Sequence, residues 1–135
     1  MRVTLDTNIY VSALHFGGKP IQLFQMGLEG ELDIAVSQPI LDETLRVLRE
    51  KFGWSDDELR DAEAAIGAAT YFVTPTETLD VVTEDPTDNR ILECAVAAGV
   101  ETIISGDRHL LSVGAFRGIQ VVRASDFLHK SQTQR

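Results

Sequence analysis

Four acidic residues have the types and positions that metal-assisted chemistry requires. Asp6 and Asp107 each come directly after a short β-forming segment. Asp88 stands at the start of a helical pattern, and Glu43 lies about one turn into another helix. In an open α/β sheet, ligands bind at the edge where the strands end, so these connections are expected to meet in one crevice. Ionised carboxylates in one crevice repel one another, and such a cluster therefore needs a cation to fill it.

The donor types in this sequence favour Mg²⁺ or Mn²⁺ over zinc, because hard cations prefer oxygen ligands. The three histidines, His15, His109 and His129, lack zinc-ligand spacing, and a single cysteine, Cys94, excludes a cysteine zinc cage. A carboxylate site with one or two ions suits phosphodiester hydrolysis. One ion helps generate hydroxide from water, and the other stabilises the leaving oxygen.

Each acid taken alone has a simpler explanation. Asp6 and Asp88 stand where helix caps occur, and Asp107 after a glycine fits a turn. For Glu43, the simpler explanation is an ordinary solvent-exposed position on a helix. Asp85, which precedes a proline, is expected to be structural, with support of the metal ligands as the less favoured role. The placement of all four main acids at strand exits or helix starts is what favours a joint site.

The elements that must position these acids alternate between strands and helices. The β-forming segments are residues 2–5, 32–36, 71–73, 101–104 and 119–122. The helical patterns are residues 7–14, 20–28, 37–52, 55–69, 89–98 and 125–128, with a helical or looped segment starting at 110–111 and an extended connection at 79–83. Ser55 and Glu58 match the S-x-x-E pattern of a capping box. The alternation predicts an α/β fold with a central parallel sheet.

Length and composition fit one domain. A chain of 135 residues, 44% hydrophobic, buries one core and leaves little room for a second. We assign residues 1–130 to a single domain and residues 131–135 to a polar tail. No apolar run approaches the roughly 20 residues that span a bilayer, and the charge at Asp6 is unlike a secretory signal peptide. With one cysteine, these features predict a cytoplasmic location.

The formal net charge of −9 does not decide between functions. Proteins that bind nucleic acid usually carry a basic face, which counts against a nuclease. Carboxylates around a divalent cation are partly neutralised by it, however, and transient cleavage needs no large phosphate footprint. An acidic surface that keeps the protein soluble is an equally compatible explanation.

Four segments, in order along the chain, together resemble the motifs of PIN domains. LDTNI at residues 5–9 resembles the opening motif, and SQPILDE at 37–43 resembles the second, where Glu43 is the acid of interest. DPTDNRILECA at 85–95 places Asp88 at the essential acid of the third. SGDRHLL at 105–111 contributes Asp107 as the acid of the fourth. One such motif is weak, but four in order, in the expected strand context, cover nearly the whole chain.

This resemblance extends to the VapC-type toxin components of toxin–antitoxin pairs. It implies a three-layer α/β/α sandwich with a parallel sheet, and Mg²⁺- or Mn²⁺-dependent endoribonuclease activity. It also implies frequent dimerisation and a small antitoxin partner. By the same resemblance, Asp6, Asp88 and Asp107 are metal ligands. Glu43 is a ligand or orients the attacking water.

Weaker candidates lie beside these acids. Asn8 and Ser105 are expected to fix the carboxylates, whereas Ser37 has either a supporting role or that of a plain helix cap. The cationic or titratable neighbours expected to contact phosphates are Arg90, Arg108 and His109. At least one of them is expected to be only a surface charge.

Two other acid-based enzyme classes fit poorly. A haloacid-dehalogenase-like phosphatase needs a second aspartate two residues after the first, where this chain has Asn8. A response-regulator receiver needs a lysine near the end of a late strand, whereas Lys130 lies close to the C-terminus.

The main alternative is a non-catalytic module that keeps the metal pocket and acts through a protein partner. An acidic surface agrees with this alternative. Apolar residues near the N-terminus could supply a surface for a dimer or an antitoxin; these are Leu14, Phe16, Leu23, Phe24 and Met26. Their helical spacing favours the core instead.

Overall fold

The protein is described by a computed structural model over residues 1–133, with six strands and seven α-helices in that range. The strands are β1 Arg2–Leu5, β2 Asp33–Val36, β3 Tyr71–Phe72, β4 Thr102–Ile104, β5 Ala115–Phe116 and β6 Ile119–Val122. The helices are α1 Thr7–Val11, α2 Lys19–Leu28, α3 Gln38–Phe52, α4 Asp56–Ala69, α5 Asp88–Ala98, α6 Arg108–Val113 and α7 Ala124–Thr133. A π-helical segment, Ser12–Phe16, continues α1.

The strands form one sheet in the order β3-β2-β1-β4-β6-β5. All neighbouring pairs are parallel except β5 with β6, which is antiparallel. In the central pair, Val3 is in register with Thr102 and Leu5 with Ile104. The carboxyl ends of β1 and β4 therefore lie side by side at one edge of the sheet. This order confirms the predicted α/β class with a largely parallel central sheet.

Both faces of the central strands are covered. Residues 3–5, 34–36 and 102–104 are buried without the alternation of a half-exposed strand. Uninterrupted burial in a parallel sheet indicates helices on both sides. The predicted three-layer α/β/α sandwich is thereby confirmed.

A second, smaller apolar cluster lies away from the sheet, where α1, α3 and α4 meet. Its buried members are Val11, Val47, Leu48, Leu59 and Ala62. The start of α4 is fixed by the predicted capping box: Ser55 Oγ accepts from the Glu58 backbone N–H at 3.2 Å, and Glu58 accepts from the Ser55 N–H at 3.0 Å. This cluster fixes the pair α3 and α4 against α1.

The N-terminal apolar residues divide between core and surface. Leu23 and Phe24 are buried, and Leu14 and Met26 pack partly buried against the core. These four residues confirm the prediction that their helical spacing places them in the core rather than on a partner surface. Phe16 is the exception, since it is 71% exposed.

The structure differs from the sequence predictions mainly near the chain ends. The helix predicted over residues 7–14 changes to π-helical geometry at Ser12, and the short strand β5 was not predicted. Helix α7 continues to Thr133, beyond the predicted end at residue 128. Residues 131–133 are thus helical, while 134–135 of the predicted tail lie outside the described residues. The assignment of residues 1–130 to a single domain stays a prediction. Within residues 1–133, no helix is long and apolar enough to cross a membrane.

Candidate metal centre

Asp6 is placed at the sheet edge by the hydrogen bonding of the central strands. Its backbone N–H donates to the Ile104 carbonyl at 2.9 Å, so the ladder between β1 and β4 continues through it. Asp6 is the residue before α1, yet its side chain makes no capping hydrogen bond. The carboxylate is nearly fully buried, with 3% of the residue exposed. A helix cap therefore does not explain this aspartate.

Ser105 connects Asp6 to Asp107. The fully buried Ser105 hydroxyl donates to Asp6 Oδ2 at 2.7 Å and accepts from the Asp107 backbone N–H at 2.9 Å. Asp107 Oδ1 in turn accepts from the His109 N–H at 2.7 Å and caps α6. The turn after β4 thus fixes one aspartate through its backbone and a second through a hydroxyl. These hydrogen bonds agree with the support expected of Ser105, and its role at a metal stays a prediction.

Asp88 is the first residue of α5 and enters the site from the preceding turn. Asp85 shapes that turn, because its Oδ1 accepts from the Thr87 N–H at 3.2 Å and the Thr87 hydroxyl at 2.6 Å. The Asp85 carbonyl also accepts from the Asp88 N–H at 3.0 Å. These contacts agree with the structural role predicted for Asp85.

The carboxylates of Asp6, Asp88 and Asp107 form one group, with one oxygen from each lying within 4.8 Å of the others. Asp6 and Asp88 are buried, and Asp107 is half-buried. Asp88 Oδ2 is buried and has no hydrogen-bond partner within the described residues. A buried carboxylate oxygen without a donor costs free energy, and a cation would satisfy it.

Burial and mutual repulsion hold protons on this group. Burial raises the pKa of Asp6 to about 6; the Ser105 hydrogen bond opposes this rise and the charge of Asp107 adds to it. Burial also raises the pKa of Asp88 to about 8, helped by a hydrogen bond with Asp107 and by the charges of Asp107, Asp6 and Asp85. Without a cation, these residues cannot all ionise at neutral pH.

The donor set fits a hard divalent cation. The three residues of the group offer carboxylate oxygens, and Asp88 Oδ2 has no hydrogen-bond partner among the described residues. Mg²⁺ and Mn²⁺ prefer such ligands, and their positive charge would favour the ionised carboxylates that the protein alone disfavours.

Glu43, the fourth predicted acid, is not in this group of described residues. Its two carboxylate oxygens accept from Arg46, with Nε to Oε2 at 3.0 Å and Nη2 to Oε1 at 2.6 Å. Arg46 also binds Glu50 at 2.5 Å. The structure places Glu43 in a surface ion-pair network on α3, and its role at the metal stays a prediction.

The structure gives less support to the weaker candidate residues. Asn8 is exposed on α1, and Arg108 is exposed at the start of α6. Arg90 pairs with Glu93 at 2.9 Å. Ser37 precedes α3, is fully buried and makes no capping hydrogen bond, so a plain helix cap is the wrong explanation for it. Contact of Arg90, Arg108 or His109 with a phosphate stays a prediction.

Asn89 and Glu93 were missed as residues that hold the loop before α5. Asn89 Oδ1 accepts from the N–H groups of Val81 and Val82 at 2.8 and 2.9 Å, and its Nδ2 donates to the Val82 carbonyl at 2.8 Å. Glu93 accepts from the Leu79 N–H at 2.7 Å. The signal in the sequence was the spacing of these two polar residues, because side chains four positions apart lie on one side of a helix.

Two comparisons relate the chain to known proteins. A family model described as PIN domain matches residues 2–109. The fold is similar to a chain in the crystal structure of VapBC2 from Rickettsia felis bound to a DNA fragment from their promoter, with a TM-score of 0.64 at 13% identity. That alignment covers 90% of this chain and 97% of the other, and at this identity it bears on the fold alone. No curated protein matches the chain in sequence.

Proposed function

Because the chain belongs to the PIN domain family, we propose that it is a metal-dependent endoribonuclease that hydrolyses RNA phosphodiester bonds. The observation that carries the proposal is the buried group of Asp6, Asp88 and Asp107, with Asp88 Oδ2 unpaired. Three carboxylates around one point, two of them with raised pKa values, are unfavourable in a protein that never binds a cation. Clusters of perturbed acids at strand ends are typical of functional sites.

The three aspartates would hold one or two Mg²⁺ or Mn²⁺ ions through their carboxylate oxygens. When bound, such ions activate water and neutralise the charge that develops on the phosphate. Ser105 keeps Asp6 oriented toward the group, and the His109 N–H engages only Oδ1 of Asp107. Asp88, protonated near neutral pH, releases that proton when it becomes a ligand. Glu43 is proposed as a further ligand or as the group that orients water.

We also propose that the protein is the toxin of a toxin–antitoxin pair. The four motifs support this, and the similarity in fold to a chain of VapBC2 agrees with it. A small antitoxin is then the protein partner, a homodimer is the proposed assembly, and cytoplasmic RNA is the substrate. VapBC2 was crystallised on a DNA fragment from its promoter, and we propose that this chain and its antitoxin bind promoter DNA in the same way.

The test is cleavage of a mixed pool of single-stranded RNA by the purified chain. Reactions contain Mn²⁺, Mg²⁺ or a chelator, with Asp6→Asn prepared in the same way. The matched control is Asp33→Asn, an exposed aspartate at the start of β2, at the opposite edge of the sheet. Cleavage that requires metal, is lost in Asp6→Asn and persists in Asp33→Asn supports the nuclease and its site together.

The alternative, a metal-binding module without catalysis, gives a different result in the same experiment. Calorimetry would then detect Mn²⁺ binding that depends on Asp6, while no RNA pool is cleaved. Cleavage that survives in Asp6→Asn would indicate a contaminating nuclease. Absence of both cleavage and metal binding would refute the proposed site.

A further inference from the structure

Four aromatic side chains form a compact surface feature on the second apolar cluster, away from the sheet. This aromatic patch consists of His15, Phe16, Phe52 and Trp54. The ring of His15 lies 4.5 Å from that of Phe16 and 4.1 Å from that of Phe52, measured between centroids. Trp54 Nε1 donates to His15 Nδ1 at 3.3 Å. The rings therefore brace one another across α3 and the π-helical segment.

The patch is packed against the protein on one side and exposed to solvent at Phe16. Phe52 and Trp54 are half-buried and pack against the second apolar cluster, which anchors them. Phe16 contacts Phe52 edge to face at 5.7 Å and remains 71% exposed. Gly17 and Gly18 follow it with φ values of 77° and 70°, which turn the chain sharply at a conformation that favours glycine. Phe16 thus stands at the end of the π-helical segment, directly before this turn. Exposed aromatic rings are common anchors of protein interfaces.

The part of the chain that carries Phe52 and Trp54 and leads into α4 is acidic, whereas the segment that carries Phe16 contains no acid and is followed by Lys19. Residues 49–63 contain six acidic and three basic side chains. Of the basic ones, Arg49 pairs with Asp56 at 2.9 Å and Arg60 pairs with Asp57, so little positive charge is left unpaired. A single-stranded nucleic acid would be repelled here, although aromatic rings can stack on bases. A second copy of a chain with net charge −9 would be repelled as well.

We propose that the aromatic patch docks a basic amphipathic segment of a protein partner. Apolar side chains on one face of that segment cover Phe16 and Trp54, and its Lys or Arg side chains face the acids of α4. Charge complementarity speeds association and excludes acidic partners. The inference rests on the proposed function only in that it gives the chemistry of the partner, and it requires no nuclease activity.

Trp54 is the only tryptophan in the chain, so its fluorescence reports on the patch directly. The probe is a helical peptide of about 16 residues, built from Leu and Lys with the leucines on one face. A scrambled peptide of the same composition controls for charge alone. The full-length chain is titrated with each, and Phe16→Ala is compared with Phe72→Ala, which removes another exposed phenylalanine, on the edge strand β3.

The proposal expects a saturable shift of Trp54 emission with the amphipathic peptide and a much weaker response to the scrambled one. Phe16→Ala should weaken binding at least tenfold. Phe72→Ala should leave it unchanged, and added salt should weaken it. Equal binding by the Phe16→Ala variant, or no shift at all, would overturn the proposal.

Two further outcomes would assign the patch to another occupant and overturn the proposal too. One is a Trp54 signal that changes with protein concentration, together with a dimer in sedimentation that Phe16→Ala abolishes. The other is a shift with a single-stranded oligoribonucleotide that Phe16→Ala removes. If peptide binding fails while metal-dependent RNA cleavage persists, only this inference fails. If cleavage fails while the peptide binds, only the nuclease proposal fails.

Discussion

The hydroxyl of Ser105 donates a 2.7 Å hydrogen bond to Oδ2 of Asp6, linking residues that are 99 positions apart in the sequence. The bond spans the ends of β1 and β4, which are neighbours in the sheet. It opposes the effect of burial on the pKa of Asp6. Ser105 therefore both orients this carboxylate and favours its ionised form.

Replacement of Ser105 by alanine should weaken Mn²⁺ binding about 10- to 100-fold, the usual effect of losing a group that supports a ligand. Asp6 would lose its donor and hold its proton more tightly. Calorimetric titration with Mn²⁺ measures this. Ser112→Ala is the matched control, because that exposed hydroxyl donates to the Arg108 carbonyl on α6, outside the aspartate group. Equal losses in both variants would contradict a specific role for Ser105.

Asp88→Asn should make the stability of the protein nearly independent of metal binding. Asp88 must take up a proton on folding because its pKa is raised to about 8, whereas an amide needs none, so the melting temperature of the chelator-treated protein should rise by several degrees. The variant should also lose most of the stabilisation by Mn²⁺, which in the native protein reaches about 2.7 kcal/mol at 100 times the dissociation constant. Thermal denaturation with and without Mn²⁺ measures both effects. A lower melting temperature with an intact Mn²⁺ response would rule out Asp88 as a ligand.

The metal-free protein should become less stable, relative to Asp6→Asn, as the pH rises. The pKa of Asp6 is raised from 3.8 to about 6 on folding. Between these values the folded protein binds more protons than the unfolded chain, so the free energy of unfolding falls with rising pH. The stability contributed by protonated Asp6 is present below about pH 4 and lost above about pH 7, and it amounts to ~3 kcal/mol.

Urea denaturation in chelator from pH 4.5 to 8 tests this dependence. The difference in unfolding free energy between Asp6→Asn and the native protein should grow up to about pH 7 and then level off. The raised pKa of Asp88 predicts that a similar difference for Asp88→Asn continues to grow to higher pH. Asp33→Asn, an exposed position outside the group, is the control. A difference that does not change with pH would show that Asp6 titrates normally in the folded protein.

Asn89→Ala should loosen the loop that leads into Asp88. The change leaves the buried N–H and the carbonyl of Val82 without their hydrogen bonds to Asn89. The expected loss in free energy of unfolding is about 2–4 kcal/mol. Hydrogen exchange at Val81 and Val82 should accelerate, and chemical denaturation gives the free energy. Asn8→Ala, at an exposed position on α1, serves as the control. Unchanged exchange at Val82 would show that Asn89 does not hold the loop.

The sequence located three aspartates that the structure brings together, because they coincide with strand ends or a helix start. Asp6, Asp107 and Asp88 follow or begin strongly patterned elements, so periodicity located them. Their meeting depends on β1 lying beside β4, which no local pattern encodes, and the expectation came from the general geometry of parallel sheets.

The sequence could not predict features that depend on very few residues or on side-chain rotamers. Strand β5 has two residues and pairs with its neighbour across a turn at Arg117, so its apolar pattern is too short to read. The orientation of the Glu43 carboxylate depends on its ion pair with Arg46, three residues further along the helix. The pattern shows only that the two share a face of α3. Competition between this ion pair and a metal ligand is a balance of small energies, which residue types alone do not reveal.

Glu43→Gln tests whether this fourth acid takes part in catalysis. We expect RNA cleavage to slow at least tenfold, because Glu43 is predicted to be a ligand or to orient water once substrate is bound. Mn²⁺ affinity should change less than in Asp6→Asn, since Glu43 is not grouped with the three aspartates in the metal-free protein. Cleavage kinetics and calorimetry on the same preparations separate these two effects.

Glu50→Gln is the matched control for Glu43→Gln, because Glu50 also binds Arg46 and lies one turn further along α3. If loss of the ion-pair network were the cause, both variants would slow cleavage to the same extent. Slower cleavage in Glu43→Gln alone would place Glu43 in the site and imply that its carboxylate leaves Arg46 when RNA and metal bind. Unchanged cleavage in both variants would limit the catalytic acids to Asp6, Asp88 and Asp107, and Glu43 would be an ordinary surface residue.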